Sequence, residues 1–332
     1  MKIATLDNGA RDGALALVTR DLQTAVDATA IAPTFLAALE NWASVGPQLQ
    51  ALAKRLESGE VKNSFAFDEA RCLSPLPRAP QWIDGSCFKN HLRLMAQSVG
   101  RDPELEANSP FPLMYQGASD EFYRPRGEIA LPREEDNIDF EAEVGIVLDE
   151  VPMGVTGDEA RRYIRFLVLI NDVSLRAFVK REIVTGFGWM NAKPSTAFSP
   201  VAITPDELGP AWSGGRLSLP IEVQWNGKVF GRPNGAQMSY SFFDLIEHAA
   251  RTRKLCAGTI IGSGTVSNAE YAEVGSACIA ERRAIETIQQ GTATTSFMKF
   301  GDRVRIHMSG LDGQSLFGAI DQTISRYART SV

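Results

Sequence analysis

Glu141, Glu143 and Asp172 are the residues whose types and spacing point first to chemistry. In the run Ile138-Asp139-Phe140-Glu141-Ala142-Glu143-Val144-Gly145-Ile146-Val147-Leu148, apolar side chains occupy one parity. Asp139, Glu141 and Glu143 occupy the other. Period-two alternation predicts a β-strand with one buried face. It places Glu141 and Glu143 on the same side, their Cα atoms roughly 6.5 to 7 Å apart. Two carboxylates that close, beside a packed core, either take up a proton or flank a cation. Asp172 ends the apolar run Phe166-Leu167-Val168-Leu169-Ile170, and an aspartate is rarely buried unless it is paired. Three acids at strand positions with no Cys or His beside them suit a hard cation, Mg²⁺ or Ca²⁺ rather than Zn²⁺. Taken alone, the acidic strand also fits a solvated face carrying ordinary surface glutamates.

Other candidates are more scattered. Asp84 and His91 lie seven apart; if residues 85–91 form a helix, Asp84 is its N-cap and His91 lies nearly two turns along. There are three histidines, and the patterns around His248 and His307 predict an amphipathic helix and a late strand. Lys193 follows a glycine-rich stretch and precedes Pro194, a position from which an ammonium can neutralise a developing anion. Solvated surface lysine is its plain alternative. Arg176 stands four residues after Asp172 on a predicted helix, which predicts an Asp172–Arg176 ion pair. The segment Gly258–Thr265 has neither GxGxxG nor a following Lys-Ser, so it is read as a turn presenting Thr265. Glu281 and Glu286 fall among apolar residues read as strand, where an acid can orient a histidine or share its proton.

The elements that must position these groups follow from the rest of the chain. Its 332 residues are 44% hydrophobic and 22% charged, with net charge −6 and no basic block. That excludes the electrostatic footprint of a nucleic-acid binder. No apolar run approaches membrane-spanning length, and Met1–Asp7 lacks an apolar h-region. Cys72, Cys87, Cys256 and Cys278 are scattered without CxxC spacing, as reduced thiols of a cytoplasmic protein would be. Residues 1–30 predict short strands turning at Asn8-Gly9 and Asp12-Gly13. A helical stretch opens at Pro33-Thr34, breaks at Gly46-Pro47 and ends at Gly59. The proline-rich connector Leu73–Pro80 divides a small domain, residues 1–75, from a large one, residues 76–332. Beyond it the chain is mostly β, with helices predicted near residues 87–99, 174–182 and 241–252. Strands are predicted around a hairpin at Asn226-Gly227, at 259–261, 277–279 and 284–288, and at 303–308. The fold class is therefore α+β and β-dominated.

Taken together, Asp84…His91, Tyr115-Gln116-Gly117, Asp139-Phe140-Glu141-Ala142-Glu143, Asn171-Asp172-Val173-Ser174-Leu175-Arg176, Lys193 and Gly262-Ser263-Gly264-Thr265-Val266-Ser267 resemble the fumarylacetoacetate hydrolase family, in order and spacing, across nearly the whole chain. The resemblance implies a mixed β-sandwich roll preceded by a small β-rich N-terminal domain, in a homodimer. It implies one Mg²⁺ or Ca²⁺ held by Asp84, Glu141, Glu143 and Asp172, and His91 as general base paired with Glu281. Arg176 and Lys193 would contact substrate and stabilise charge, with Tyr115, Thr265 and Arg101 binding substrate. Ser86 stands where the family has a tyrosine, Val179 where it has a glutamine, and Ile183 where it has a tyrosine. The implied activity is hydrolysis of a carbon–carbon bond in a 1,3-diketo acid. Fumarylacetoacetate is the first expectation and fumarylpyruvate or another acylpyruvate the second. A β-keto-acid decarboxylase or tautomerase is the alternative on the same site, and a non-enzymatic metal-stabilised binding protein comes last.

Overall fold

A computed structural model describes residues 1–328, apart from the side chain of Glu106. The run Phe166–Ile170 is apolar at every position because both faces of its strand, Ile164–Asn171, are covered. A one-sided strand would alternate instead. Its neighbour Ala142–Leu148 pairs with it antiparallel, Glu143 opposite Ile170 and Val144 opposite Leu169. Val144, Ile146, Leu148, Leu167 and Leu169 enter one core cluster, and Val147, Phe166, Val168 and Ile170 enter another on the opposite face.

These two strands sit in the middle of a twelve-stranded mixed sheet. On one side the path runs through Val201–Ile203 to the N-terminal strands Lys2–Leu6, Ala14–Val18 and Thr24–Asp27. On the other it runs through Ile260–Gly262 to Trp82–Gly85 and Met114–Gly117. Residues 1–28 therefore extend the same sheet that carries the acidic strand, with Lys2 registered opposite Ile203. The helices Phe35–Glu40 and Trp42–Glu57 send Phe35, Leu39 and Leu49 into the second cluster. A separate five-stranded sheet, ordered Lys228–Gly231, Glu222–Trp225, Arg303–Ser309, Ser315–Arg326 and Arg126–Leu131, contributes Val223, Val304, Ile306 and Ile320 to the first. The result is a strand-dominated α+β fold. Among the described residues no helix is long and apolar enough to cross a membrane.

Several local expectations are corrected. The acidic run is two strands, Ile138–Asp139 and Ala142–Leu148, and it is buried on both faces, so Glu141 and Glu143 do not lie on a solvated side. Asp84 is not a helix cap: it lies in the strand Trp82–Gly85, parallel to Ile260–Gly262, and the helix Lys89–Ser98 begins after Phe88. Glu281 and residues 284–288 are helical, within Ile279–Gln290. There the buried residues Ile279, Ala280, Ala284 and Ile285 recur at helical spacing, Cys278 accepts the Glu281 amide, and Gly291 closes the end in the left-handed region. The helix Trp42–Glu57 runs through Gly46-Pro47, Gly46 lying against the Trp42 indole; the break falls at Asn41 instead. The hairpin at Asn226-Gly227 forms as predicted, both residues at positive φ.

Candidate active site and metal centre

Asp84, Glu143 and Asp172 come from three different strands or strand ends, yet their ligand oxygens lie within 4.8 Å of one another. The sheet brings them together by register. Gly145 pairs with Gly262, and Gly262 pairs with Asp84. A Cβ on Gly262 would stand 2.4 Å from Asp84 Oδ1 and 3.0 Å from Glu143 Oε2, so the glycine makes room for the carboxylates. Asp172 follows Asn171, where the strand partner of Ala142 ends, and its amide donates to the carbonyl of Glu141 at 3.0 Å.

The three acids differ in how they are satisfied. Asp84 Oδ1 accepts the Gly264 amide at 3.0 Å. Asp172 Oδ1 accepts the Thr196 hydroxyl at 2.8 Å, and Oδ2 accepts Tyr115 Oη and Lys193 Nζ, both at 2.5 Å. Glu143 is fully buried, and apart from the neighbouring Asp84 carboxyl, with which it can share a proton, neither of its oxygens has a hydrogen-bond partner. Buried polar atoms are normally paired, so such a carboxylate calls for an explanation. Burial, then the charges of Asp84 and Asp172, push its carboxyl well above the usual range. Burial and the charge of Asp172 likewise raise Asp84 to about 8. A hard divalent cation relieves all of this at once: it supplies the missing partner of Glu143 and cancels the mutual repulsion. The residues present fit such an ion.

Glu141 is placed differently from the other acids. Its Oε2 accepts Lys193 Nζ at 2.6 Å and its Oε1 accepts Arg176 Nη2. Burial alone would raise its carboxyl, but Lys193 and Arg176 outweigh burial and hold it below the usual range. Lys193 is thus a buried cation shared between Glu141 and Asp172, not a solvated one. Burial works against its charge and is outweighed by Asp172 and Glu141, so it stays protonated. The predicted Asp172–Arg176 pair is absent. The helix Arg176–Ile183 starts at Arg176 itself, so Asp172 is outside it, and the guanidinium reaches Asp139 and Glu141 instead.

His91 sits on the first turn of the helix Lys89–Ser98, and its Nδ1 is 2.8 Å from Glu281 Oε2. Glu281 is fully buried in the first turn of Ile279–Gln290, and its second oxygen has no donor. Sequence reasoning missed what aims that helix. Asp139, buried, accepts the amides of Ile279 at 2.8 Å and Ala280 at 2.9 Å, and Arg176 Nε at 2.9 Å. One carboxylate therefore fixes both the helix carrying Glu281 and the guanidinium beside Glu141. An anion at a helix N-terminus is also favoured by the macrodipole.

These groups open onto one cavity of about 620 Å³. Asp84, His91, Tyr115, Glu141, Arg176, Lys193 and Thr265 all contribute to its wall. Arg101 does not: it lies exposed beyond the helix Lys89–Ser98 and is not among the lining residues. Ser86, Val179 and Ile183 also line the cavity. So does Trp189, edge-on to Tyr115 with ring centroids 6.3 Å apart. Nothing in the local sequence around Trp189 or Thr196 marks them, because their partners are distant in the chain.

Compared with known families, residues 81–325 match "Fumarylacetoacetate (FAA) hydrolase C-terminal" and residues 1–78 match "Fumarylacetoacetase N-terminal domain 2". Among curated proteins the chain is similar to the 2,4-didehydro-3-deoxy-L-rhamnonate hydrolase of Sphingomonas sp. (strain SKA58). The two are 30% identical over 170 residues, 49% of this chain and 57% of that relative, so the match spans little more than half of the relative's length. Among solved structures, the maleylpyruvate hydrolase of Sphingobium sp. SYK-6, in complex with manganese(II) and pyruvate, superposes with a TM-score of 0.65. It is 15% identical and covers 99% of this chain and 100% of its own. A 5-carboxymethyl-2-hydroxymuconate delta-isomerase from Mycobacterium smegmatis gives a TM-score of 0.61 at 16% identity, covering 99% and 100%. At these identities the two solved structures share the fold.

Proposed function

The chain belongs to the fumarylacetoacetate hydrolase family, and on that premise we propose that it hydrolyses a carbon–carbon bond of a 1,3-diketo acid with the help of a divalent cation. The observation that carries this reading is the buried cluster of Glu143 with Asp84 and Asp172, beside a cavity whose wall includes Asp84 and the His91 that pairs with Glu281. Asp84, Glu143 and Asp172 would hold the ion, with Glu141 as the fourth acid of the expected set. Oxygen-only donors suit Mg²⁺, Ca²⁺ or Mn²⁺, the last being the ion in the maleylpyruvate hydrolase complex. When bound, the ion supplies Lewis-acid polarisation of substrate oxygens.

The remaining chemistry belongs to the chain. The His91 tautomer that donates Nδ1–H to Glu281, 2.8 Å away, leaves the Nε2 lone pair free to act as base. It takes a proton from water, whose oxygen attacks the carbonyl farther from the carboxylate. Glu281 stabilises the imidazolium that forms. The Lys193 ammonium and the Arg176 guanidinium, both on the cavity wall, would offset the charge that develops on the attacked oxygen. Collapse of the tetrahedral adduct breaks the bond to the carbon between the two former carbonyls. That carbon takes the electron pair and then the proton carried by His91. The products are one carboxylic acid and one keto acid. Fumarylacetoacetate, fumarylpyruvate and simpler acylpyruvates all fit this scheme.

The test is consumption of diketo acids by purified protein with Mn²⁺ or Mg²⁺, with both products quantified. One equivalent of each product supports the reading. Release of CO₂ without a second carboxylic acid would replace it with decarboxylation. Exchange between keto and enol forms alone would replace it with tautomerisation.

A further inference from the structure

The cavity is not uniform along its length. Its inner end carries every acid and base described above. The helix Arg176–Ile183 runs outward from there, and Arg176, Val179 and Ile183 fall on one face of it at spacings of three and four. From Arg176 to Ile183 is about 10 Å along the axis. The wall also carries Leu92, Leu113, Met114 and Trp189, which with Val179 and Ile183 make six apolar side chains, and of these Leu113 and Ile183 are exposed toward the mouth. None of the six is ionisable.

Charge is distributed just as unevenly. The basic residues among those lining the cavity are His91, Arg176 and Lys193. Each is held by a carboxylate at the inner end: His91 by Glu281, Arg176 by Asp139 and Glu141, Lys193 by Glu141 and Asp172. Toward the outer end the ionisable lining group is Glu182, whose carboxylate accepts the amides of Met190 at 3.0 Å, Asn191 at 2.8 Å and Ala192 at 3.1 Å. A second carboxylate on the far end of a substrate would meet apolar surface and the anion of Glu182. There it would gain no cationic partner, forgo apolar contact and stand near the like charge of Glu182.

We propose that the outer half of this cavity is an apolar acyl subsite, so that the preferred substrate is a monocarboxylic diketo acid whose distal acyl group is an uncharged hydrocarbon. The proposal rests on the hydrolytic reading for the reaction but on the wall alone for the ligand. It sets aside the dicarboxylic substrates, fumarylacetoacetate and fumarylpyruvate, in favour of alkyl- or aryl-substituted acylpyruvates.

Binding separates the two claims. Calorimetry on the Mg²⁺-loaded full-length protein would use 2-oxobutanoate, 2-oxopentanoate and 2-oxohexanoate, and 2-oxoadipate as the diacid of six carbons. The expected result is a dissociation constant that falls about fourfold per added methylene, with 2-oxoadipate about tenfold or more weaker than 2-oxohexanoate. Ile183→Arg, at a half-exposed position (50%) that tolerates the change, should narrow or invert that preference. Equal or tighter binding of 2-oxoadipate, a flat chain-length series, or no binding of any of the four overturns the subsite. Turnover of the matching 2,4-dioxo acids is measured alongside. The expected binding series without turnover leaves the subsite standing and retires the hydrolytic reading. Turnover that favours the diacids does the reverse.

Discussion

Replacing Glu143 by glutamine should stabilise the metal-free protein, against the usual outcome of changing a buried residue. Glu143 is wholly buried, lies against Asp84 and Asp172, and has no hydrogen-bond partner other than the Asp84 carboxyl. Its carboxyl is pushed well above the ordinary value of 4.5, first by burial and then by those two charges. Holding a buried carboxyl without full hydrogen-bonding partners costs about 1–3 kcal/mol. Glutamine has nearly the same shape, carries no such cost, and brings an amide donor toward the neighbouring acids. The sign follows from linkage. A carboxyl whose folded value is raised leaves stability intact below the unfolded value and loses it as pH climbs toward the folded one. The gap between Glu143→Gln and wild type should therefore be smallest at pH 4 and widen toward pH 7, to about 1–3 kcal/mol. Urea denaturation of chelator-stripped protein across that range measures it. Adding Mn²⁺ should stabilise wild type through binding and leave the variant nearly unmoved. A stripped variant less stable than wild type at pH 7, or an equal Mn²⁺ effect on both, would refute the reasoning.

Other perturbations follow from the same geometry. His91→Ala should lower turnover about 10²-fold or more while Mn²⁺ binding persists, because the residue moves a proton and holds no ion; unchanged kcat would remove it as the base. Gly262→Ala forces a Cβ to within 2.4 Å of Asp84 Oδ1 and 2.6 Å of the Trp82 ring. It should cost about 1–3 kcal/mol of stability and weaken Mn²⁺ binding, as dialysis would show. Asp139→Asn removes the charge that fixes both the Glu281 helix and Arg176. We expect lower kcat with a shifted pH profile at nearly unchanged Mn²⁺ affinity, and an unaltered profile would make Asp139 merely structural.

What the sequence revealed depended on whether a residue's partners were set by local period. Glu141 and Glu143 share a side because a strand alternates, and Asp172 stands out because it ends a run too apolar for a solvated strand. Asp84 was harder to place. Its strand is four residues long and pairs in parallel with Ile260–Gly262, a contact that no local spacing announces. The stretch around Glu281 reads as strand because short apolar runs fit both periods, while its helix is set by Cys278 and by Asp139. Spacing of four suggested Arg176 with Asp172, and the start of the helix at Arg176 cancels that pairing. The roles of Asp139, Thr196 and Trp189 rest on contacts made across the fold, and the apolar outer wall is assembled from four separate stretches of chain.

The most direct measurement is the stoichiometry and location of Mn²⁺ on the purified protein, by equilibrium dialysis and anomalous diffraction. One ion per chain between Asp84, Glu143 and Asp172, absent in Glu143→Gln, is the predicted result. An ion elsewhere, or one that the substitution leaves in place, would contradict the account.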